Sequence, residues 1–297
     1  MTGPEIVAGL AAGAKGAKKV VDALGGDAKE QEQLSRLAED TKALEVAANA
    51  RADRVAIRQL VLTKLYAPLA KWVGYKSDYF DDHFADEMAE KLADVPEEHI
   101  VSPSPIVAAQ SIEGLSYSLD EPALKDMYLN LLATASDDRR SDYAHPAFAQ
   151  ILKQLTPVEA AYVVKAIEWG GGRGLPIAVL KDSEGEGIGF LELYRHLVQL
   201  LDNERKPVED EDYPMYVDNW IRLGLVDADY LTFRSGEEAY AWVESRPEYE
   251  RFSKLMPSDG SRKLTYDRGI LRPTALGVRF ARAVSSSGAD AGTRGGR

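Results

Sequence analysis

Cysteine is absent from the 297 residues of this chain. That removes disulfides, thiolate metal ligands and a cysteine nucleophile, and it fits a reducing, cytoplasmic setting. Long apolar runs are also missing. No stretch reaches the roughly 18–20 apolar residues that span a bilayer. The longest run near the start, Ile6 to Ala14, is closed by Lys15. A secretory leader carries its positive charge ahead of such a run. Here Glu5 precedes it and Lys15, Lys18 and Lys19 follow, so no export is expected. Positive charge is in short supply too. The formal net charge is −12, and such a surface repels nucleic acid and anionic membranes unless its basic residues are segregated.

What is present is ordinary for a water-soluble protein. Hydrophobic residues make up 45% and charged residues 28%. The length accommodates one large or two modest domains. Residues 1–27 are rich in alanine and glycine, with Gly9 and Gly13 four apart as in close helix contacts. The segment reads either as a helix for a membrane surface or a partner, or as a loosely docked terminus. Residues 28–70 form a long helical pattern. An a/d spacing over Leu34, Leu37, Thr41, Leu44 and Ala48 lapses when Arg51 and Arg58 reach the seam. From Ser77 to Leu92 a stripe of Phe80, Phe84, Met88 and Leu92 predicts an amphipathic helix.

Punctuation then becomes dense. Pro96, Pro103 and Pro105 extend the connection from Val95. Ser104-Pro105 starts a helix that runs to about Ser118, and Asp120 is expected to cap the next. The spacing of Leu124, Met127, Tyr128, Leu131, Leu132 and Ala135 predicts that second helix. Asp137 to Asp142 reads as a polar loop, and Phe148, Ile151, Leu152 and Leu155 mark a third helix. Thr156-Pro157-Val158-Glu159 reads as a capping box whose helix stops at Gly170 to Gly172.

The last third changes pattern. A short strand is expected over Leu175 to Leu180, and helices over 190–201, 213–225 and 240–255. A hairpin turning at Asp267-Arg268-Gly269 is expected within 263–272, followed by a helix over 273–284. The order helix (157–169), helix (190–201), helix (214–225), hairpin (263–272) suggests a winged helix-turn-helix. Residues 285–297 read as a disordered tail.

Signatures of catalysis are sparse. Gly170 to Gly174 ends a helix where a phosphate loop would begin one, and it has no following Lys-Ser/Thr. Glu184 to Phe190 lacks the Rossmann spacing, and no Gly-x-Ser-x-Gly phrase occurs. The densest metal-type cluster is Asp81, Asp82, His83, Asp86 and Glu87. It is also what a solvated face opposite a Phe/Met stripe looks like. His145 sits before Pro146 at a helix start, beside Arg139, Arg140 and Asp142. It could be a general base or an anion contact, or it could cap the helix. From residue 262 onward eight basic residues face two acids, a surplus of six. Arg262, Lys263, Arg268, Arg272, Arg279 and Arg282 are therefore candidates for binding nucleic acid or an acidic partner. The expected reader helix over 213–225 offers only Tyr216, Asn219 and Arg222, beside Asp218.

One resemblance lies in the middle of the chain. VPEEHIVSPSP, LDEPALKDMYLNLLATA and HPAFAQILKQLTPVEA, in that order within residues 92–160, resemble the Abi-alpha (abortive infection alpha) family. The resemblance implies a role in phage defence and supplies no reaction. It places His145-Pro146 within the family pattern without choosing between the readings of that histidine.

The expected fold is mainly α. Segment 1–27 precedes helices over 28–93, an Abi-alpha-like helical core over 94–155, a winged-helix-like α+β module over 156–284 and the tail. The expected function is phage defence through contacts with a protein partner or self-association through helices, with no cofactor and no autonomous small-molecule catalysis. The alternatives are a nucleic-acid-binding winged-helix protein and a nuclease-type hydrolase using His145 or the Asp81 to Glu87 cluster.

Overall fold

The computed structural model describes residues 56–57, 59–60, 79–80, 83–184 and 189–285. The expected segment 1–27, nearly all of the long helical pattern over 28–70 and the tail after Ser285 lie outside the described residues. The described residues fall into two compact units, one up to Ile100 and one from Val101 onward. Among them no helix is long and apolar enough to cross a membrane.

The first unit contains helix α1, Phe84–Lys91. Phe80, Phe84, Met88 and Leu92 are all at most 2% exposed, so the stripe with period four is the buried face. Tyr79, Phe80 and Phe84 pack ring against ring, with centroids 5.2 to 6.4 Å apart. Burying Phe80 and Phe84 contributes about 1.5–3 kcal/mol each. The helix stops at Lys91, and after Pro96 a 3₁₀ turn at Glu97–His99 closes the unit.

The second unit opens with helices α2, Pro105–Ser116, and α3, Pro122–Ala135. Each has proline in its first turn, where the missing N–H has no intrahelical partner to lose. Glu121, not Asp120, is the residue at the start of α3, and its side chain makes no capping bond. Leu124, Met127, Tyr128, Leu131, Leu132 and Ala135 are buried, as their spacing predicts. A loop over 136–146 leads to the short helix α4, Ala147–Leu152. Helix α5, Pro157–Gly170, begins with the expected capping box. The backbone N–H of Glu159 donates to Thr156 Oγ1 at 3.2 Å, and the N–H of Thr156 donates to Glu159 Oε2 at 2.7 Å.

The sheet is antiparallel in the order β2-β1-β4-β3, from strands β1, Leu175–Glu184, β2, Phe190–Leu197, β3, Val226–Asp229, and β4, Arg262–Pro273. Helix α6, Tyr213–Arg222, lies between β2 and β3, and α7, Pro247–Ser253, between β3 and β4. Helix α8, Ala275–Val284, closes the unit. Ala178, Leu180 and Leu197 of the sheet pack with Tyr240 and Val243 in an apolar cluster.

The fold is thus helices plus a C-terminal four-stranded antiparallel sheet, and it departs from the expected winged-helix order in three places. Residues 190–197, expected as helix, are strand β2, because pairing with β1 overrides local helix propensity. The hairpin expected within 263–272 is one continuous strand paired with β1 from Leu175–Leu271 to Glu184–Arg262. Gly269 therefore marks a close approach and not a turn. A Cβ there would lie 2.4 Å from Tyr230 Cδ1 and 2.8 Å from the carbonyl oxygen of Asp229. The helix expected over 240–255 is a 3₁₀ turn, Val243–Ser245, followed by the seven-residue α7.

Helix α8 is held from both ends. At its start Thr274 Oγ1 accepts from the N–H of Gly277 at 2.9 Å. A side chain at Gly277 would put its Cβ 1.9 Å from the carbonyl oxygen of Leu225, so only glycine lets α8 lie against that turn. At its end three consecutive carbonyl oxygens accept from elsewhere. Arg282 O takes Arg140 Nη2, Ala283 O takes Thr134 Oγ1 and Val284 O takes Asn130 Nδ2, each at 3.0 Å. These are groups that a helix leaves without partners.

Candidate functional site

Two sets of candidate residues far apart in sequence meet at one corner of the second unit. The first is the loop after α3, which carries Arg139, Arg140, Asp142 and His145. The second is α8, which carries Arg279 and Arg282. Asp137 anchors the loop. It is 2% exposed and accepts from Arg139 Nε at 2.8 Å, from Arg139 Nη2 at 2.7 Å and from the Arg139 N–H at 3.1 Å. Burial alone would raise its pKa. The bonds from Arg139, with the charges of Arg139 and Arg140, outweigh burial and hold the carboxyl below its usual range.

The loop then docks on α8. Arg279 Nη2 donates to the carbonyl oxygen of Asp142, Arg140 Nη2 to that of Arg282, and the Arg282 guanidinium lies 5.7 Å from the centre of the Tyr143 ring. His145 is exposed, and its Nδ1 accepts from the N–H of Ala147 at 3.1 Å. In that bond Nδ1 carries no proton, so the neutral ring holds its proton on Nε2. The ring packs on Phe148 at 5.8 Å, and Phe148 packs on Phe280 of α8 at 5.5 Å. In this geometry His145 steadies the first turn of α4 with one nitrogen and offers the other as a donor.

The rest of the basic stretch lies on the sheet. Arg262 Nε donates to Asp182 Oδ1 at 2.8 Å. Arg268 stacks over Phe233 at 4.2 Å and lies 5.8 Å from the Tyr240 ring. Arg272 bridges Asp229 at 3.5 Å and Thr232 Oγ1 at 3.0 Å. Lys263 is exposed on β4 opposite Ser183. The candidates therefore divide between two places, with Arg279 and Arg282 at the corner and the other four along β4.

Asn219 and Arg222 of helix α6 are engaged within the chain. Asn219 Nδ2 donates to Glu159 Oε1 at 2.7 Å and to the carbonyl oxygen of Gln154 at 2.9 Å. Arg222 Nε and Nη2 donate to Asn219 Oδ1, and its Nη1 donates to Gln154 Oε1 at 3.0 Å. Tyr216 is 7% exposed. The side chains that would read base edges instead tie α6 to the start of α5.

Of the metal-type cluster, Asp81 and Asp82 lie outside the described residues. Asp86 and Glu87 occupy the first turn of α1, where acids complement the helix dipole, and His83 precedes them. Glu87 Oε2 accepts from the Tyr79 hydroxyl at 2.8 Å. Burial, helped by Glu87, pushes that hydroxyl far above its ordinary pKa. Among the described residues no group of three or more His, Asp or Glu is placed to hold a metal ion.

A third polar group lies around His196, on the sheet. His196, 2% exposed and at φ +56°, lies in a left-handed conformation that histidine tolerates better than most residues. Its N–H donates to the Tyr230 hydroxyl at 3.2 Å, and that hydroxyl lies 2.9 Å from His196 Nδ1. Nε2 lies 3.1 Å from Asp218 Oδ1. The set is satisfied when Tyr230 donates to Nδ1 and Nε2–H donates to Asp218. Burial lowers the His196 pKa, against the opposing pull of Asp218. The order hydroxyl–imidazole–carboxylate resembles a nucleophilic triad, but its exposure is reversed. The Asp218 side chain is 65% exposed, while burial pushes the Tyr230 hydroxyl well above its ordinary pKa. A nucleophile needs the open end of such a chain. No local motif announces this group, since its members are 22 and 34 residues apart.

A family model described as abortive infection alpha matches residues 76–284. No curated protein and no solved structure matches the chain.

Proposed function

Since the chain belongs to the abortive infection alpha family, we propose that it acts in phage defence and does so through contacts with protein. The observation that carries the biological part is the length of the family match, residues 76–284. The molecular part rests on what the polar side chains are already doing. Asn219 and Arg222 on α6, and Arg262 and Arg272 on β4, are engaged within the chain, so base readout loses its natural instruments. The winged-helix arrangement, which would favour a nucleic-acid reading, lacks its second helix and its hairpin in β2 and β4.

Protein contact is supported by apolar side chains held in the open. Leu231 is 93% exposed, and the turn that projects it is tightly built. Asp229 Oδ1 accepts from the N–H of Leu231 at 2.8 Å and from that of Thr232 at 3.2 Å. Phe233 beside it is 47% exposed under the Arg268 guanidinium. An open aromatic ring and an arginine beside this exposed leucine match the residue types enriched at protein interfaces.

The test is plaquing efficiency and survival of infected cells, with and without this gene, at high and low phage dose. Fewer plaques with early death of infected cells support the reading. Unchanged plaquing across a broad phage panel overturns it. Leu231→Asp tests the contact mode, because a residue so exposed can change without unfolding the chain. Lost protection at unchanged Tm supports contact through this turn; full protection rules the turn out.

A further inference from the structure

We propose that the corner between the loop over residues 137–146 and α8 is a binding site for phosphate groups. This goes beyond the protein-contact reading and does not depend on it. Three guanidiniums lie where the loop meets α8, and each is steadied by a group without charge. Arg140 uses one donor on the carbonyl oxygen of Arg282, and Arg279 uses one on the carbonyl oxygen of Asp142. Arg282 rests on the Tyr143 ring. A guanidinium has five N–H donors in a planar fork, so Arg140 and Arg279 keep most of theirs, while the edge of Arg282 stays open. Carbonyl and ring contacts orient the forks without neutralising them, which is the preorganisation that bidentate phosphate recognition needs.

The acids of the corner do not cancel this charge. Asp137 is buried and taken up by Arg139 through both carboxylate oxygens. Asp138 and Asp142 are exposed on the same loop. Four arginines, Arg139, Arg140, Arg279 and Arg282, thus stand against three aspartates, leaving the corner positive in a chain of net charge −12. His145 adds its Nε2–H donor at the loop's end, because its Nδ1 is committed to Ala147. The ligand chemistry is a phosphate mono- or diester, carried either by a small phosphorylated molecule or by a polynucleotide backbone. The guanidinium forks match phosphate oxygens two by two, so recognition is of the phosphate itself.

The experiment titrates the full chain at low salt with sodium tripolyphosphate, by calorimetry, and with a short labelled DNA duplex, by anisotropy. Arg279→Gln and Arg282→Gln should each weaken binding about tenfold, as the loss of one charge-assisted bond implies. Arg262→Gln, whose side chain pairs with Asp182 on the sheet, should leave binding unchanged. A melting curve for each variant separates lost binding from lost folding. Arg282→Lys keeps the charge without the fork and should weaken binding partly. Comparable binding of both probes assigns the site to small phosphorylated molecules. Duplex binding that tripolyphosphate displaces poorly assigns it to a polynucleotide backbone. Absence of binding by either probe overturns the proposal. So does binding that Arg262→Gln weakens as much as Arg282→Gln.

Discussion

Asn130 Nδ2 donates to the carbonyl oxygen of Val284 at 3.0 Å, a buried bond across 154 residues of sequence. It ties the middle of α3 to the last residue of α8. Thr134, one turn further along α3, does the same for Ala283. The two bonds lie in a dry environment, where a carbonyl without a donor pays its full desolvation cost.

Thr134→Val keeps the shape and removes the donor, and should cost about 1–3 kcal/mol. Asn130→Ala should cost at least as much, since it also empties space and releases Asp126. The double variant should depart from the sum, because both bonds dock one helix end. Urea unfolding with an unchanged m-value is the measurement, and near-neutral variants would show that α8 is held by apolar packing alone.

Arg246 and Glu248 form a salt bridge at 2.7 Å with both side chains 1% exposed. Arg246 also donates to the carbonyl oxygens of Leu200 at 2.7 Å and Val208 at 2.6 Å, closing the loop between them. Glu248→Ala strands a buried cation and should cost about 3–5 kcal/mol. Arg246→Met should open the loop, so proteolysis between Leu200 and Val208 should become faster than in the parent chain. Cleavage at the parent rate would mean that the loop holds without Arg246.

His196 makes stability depend on pH. Burial holds its folded pKa below the value of 6.5 it has when free. The unfolded chain therefore takes up the proton first as pH falls. The stabilising contribution is complete above about pH 6.5 and is lost as pH falls toward the folded value. Asp218, Arg195, Glu192 and Tyr230 face the ring and modulate the window. Tm should fall between about pH 7 and pH 5, and His196→Gln should flatten that fall. Parallel curves for the two proteins would remove His196 as its cause.

Local signals carried well. The period-four stripe of Phe80, Phe84, Met88 and Leu92 is buried along and beside α1. The Thr156–Glu159 box caps α5, and the polar loop after α3 is where composition placed it. Each depends on residues within a turn or two of one another. The middle third was also legible as a family pattern, and the family match extends well beyond it.

Of the candidate site, the sequence supplied His145, Arg279 and Arg282 as separate suggestions. Nothing in their spacing says that they share a corner with Arg140, because the loop and α8 lie more than 130 residues apart. The Tyr230–His196–Asp218 group stayed hidden for the same reason, and because β2 carries helix-like residues. Among the described residues, composition, periodicity and capping determined the helices between 84 and 170, and which residues were apolar enough to bury. Tertiary structure decided that 190–197 and 262–273 are paired strands, that Asn219 and Arg222 of α6 are taken up by Glu159 and Gln154, and that arginines from two ends of the unit converge. The reason is physical: helix periodicity and caps are satisfied within a few residues, whereas strand pairing and side-chain caps take their partners from wherever the packed chain brings them.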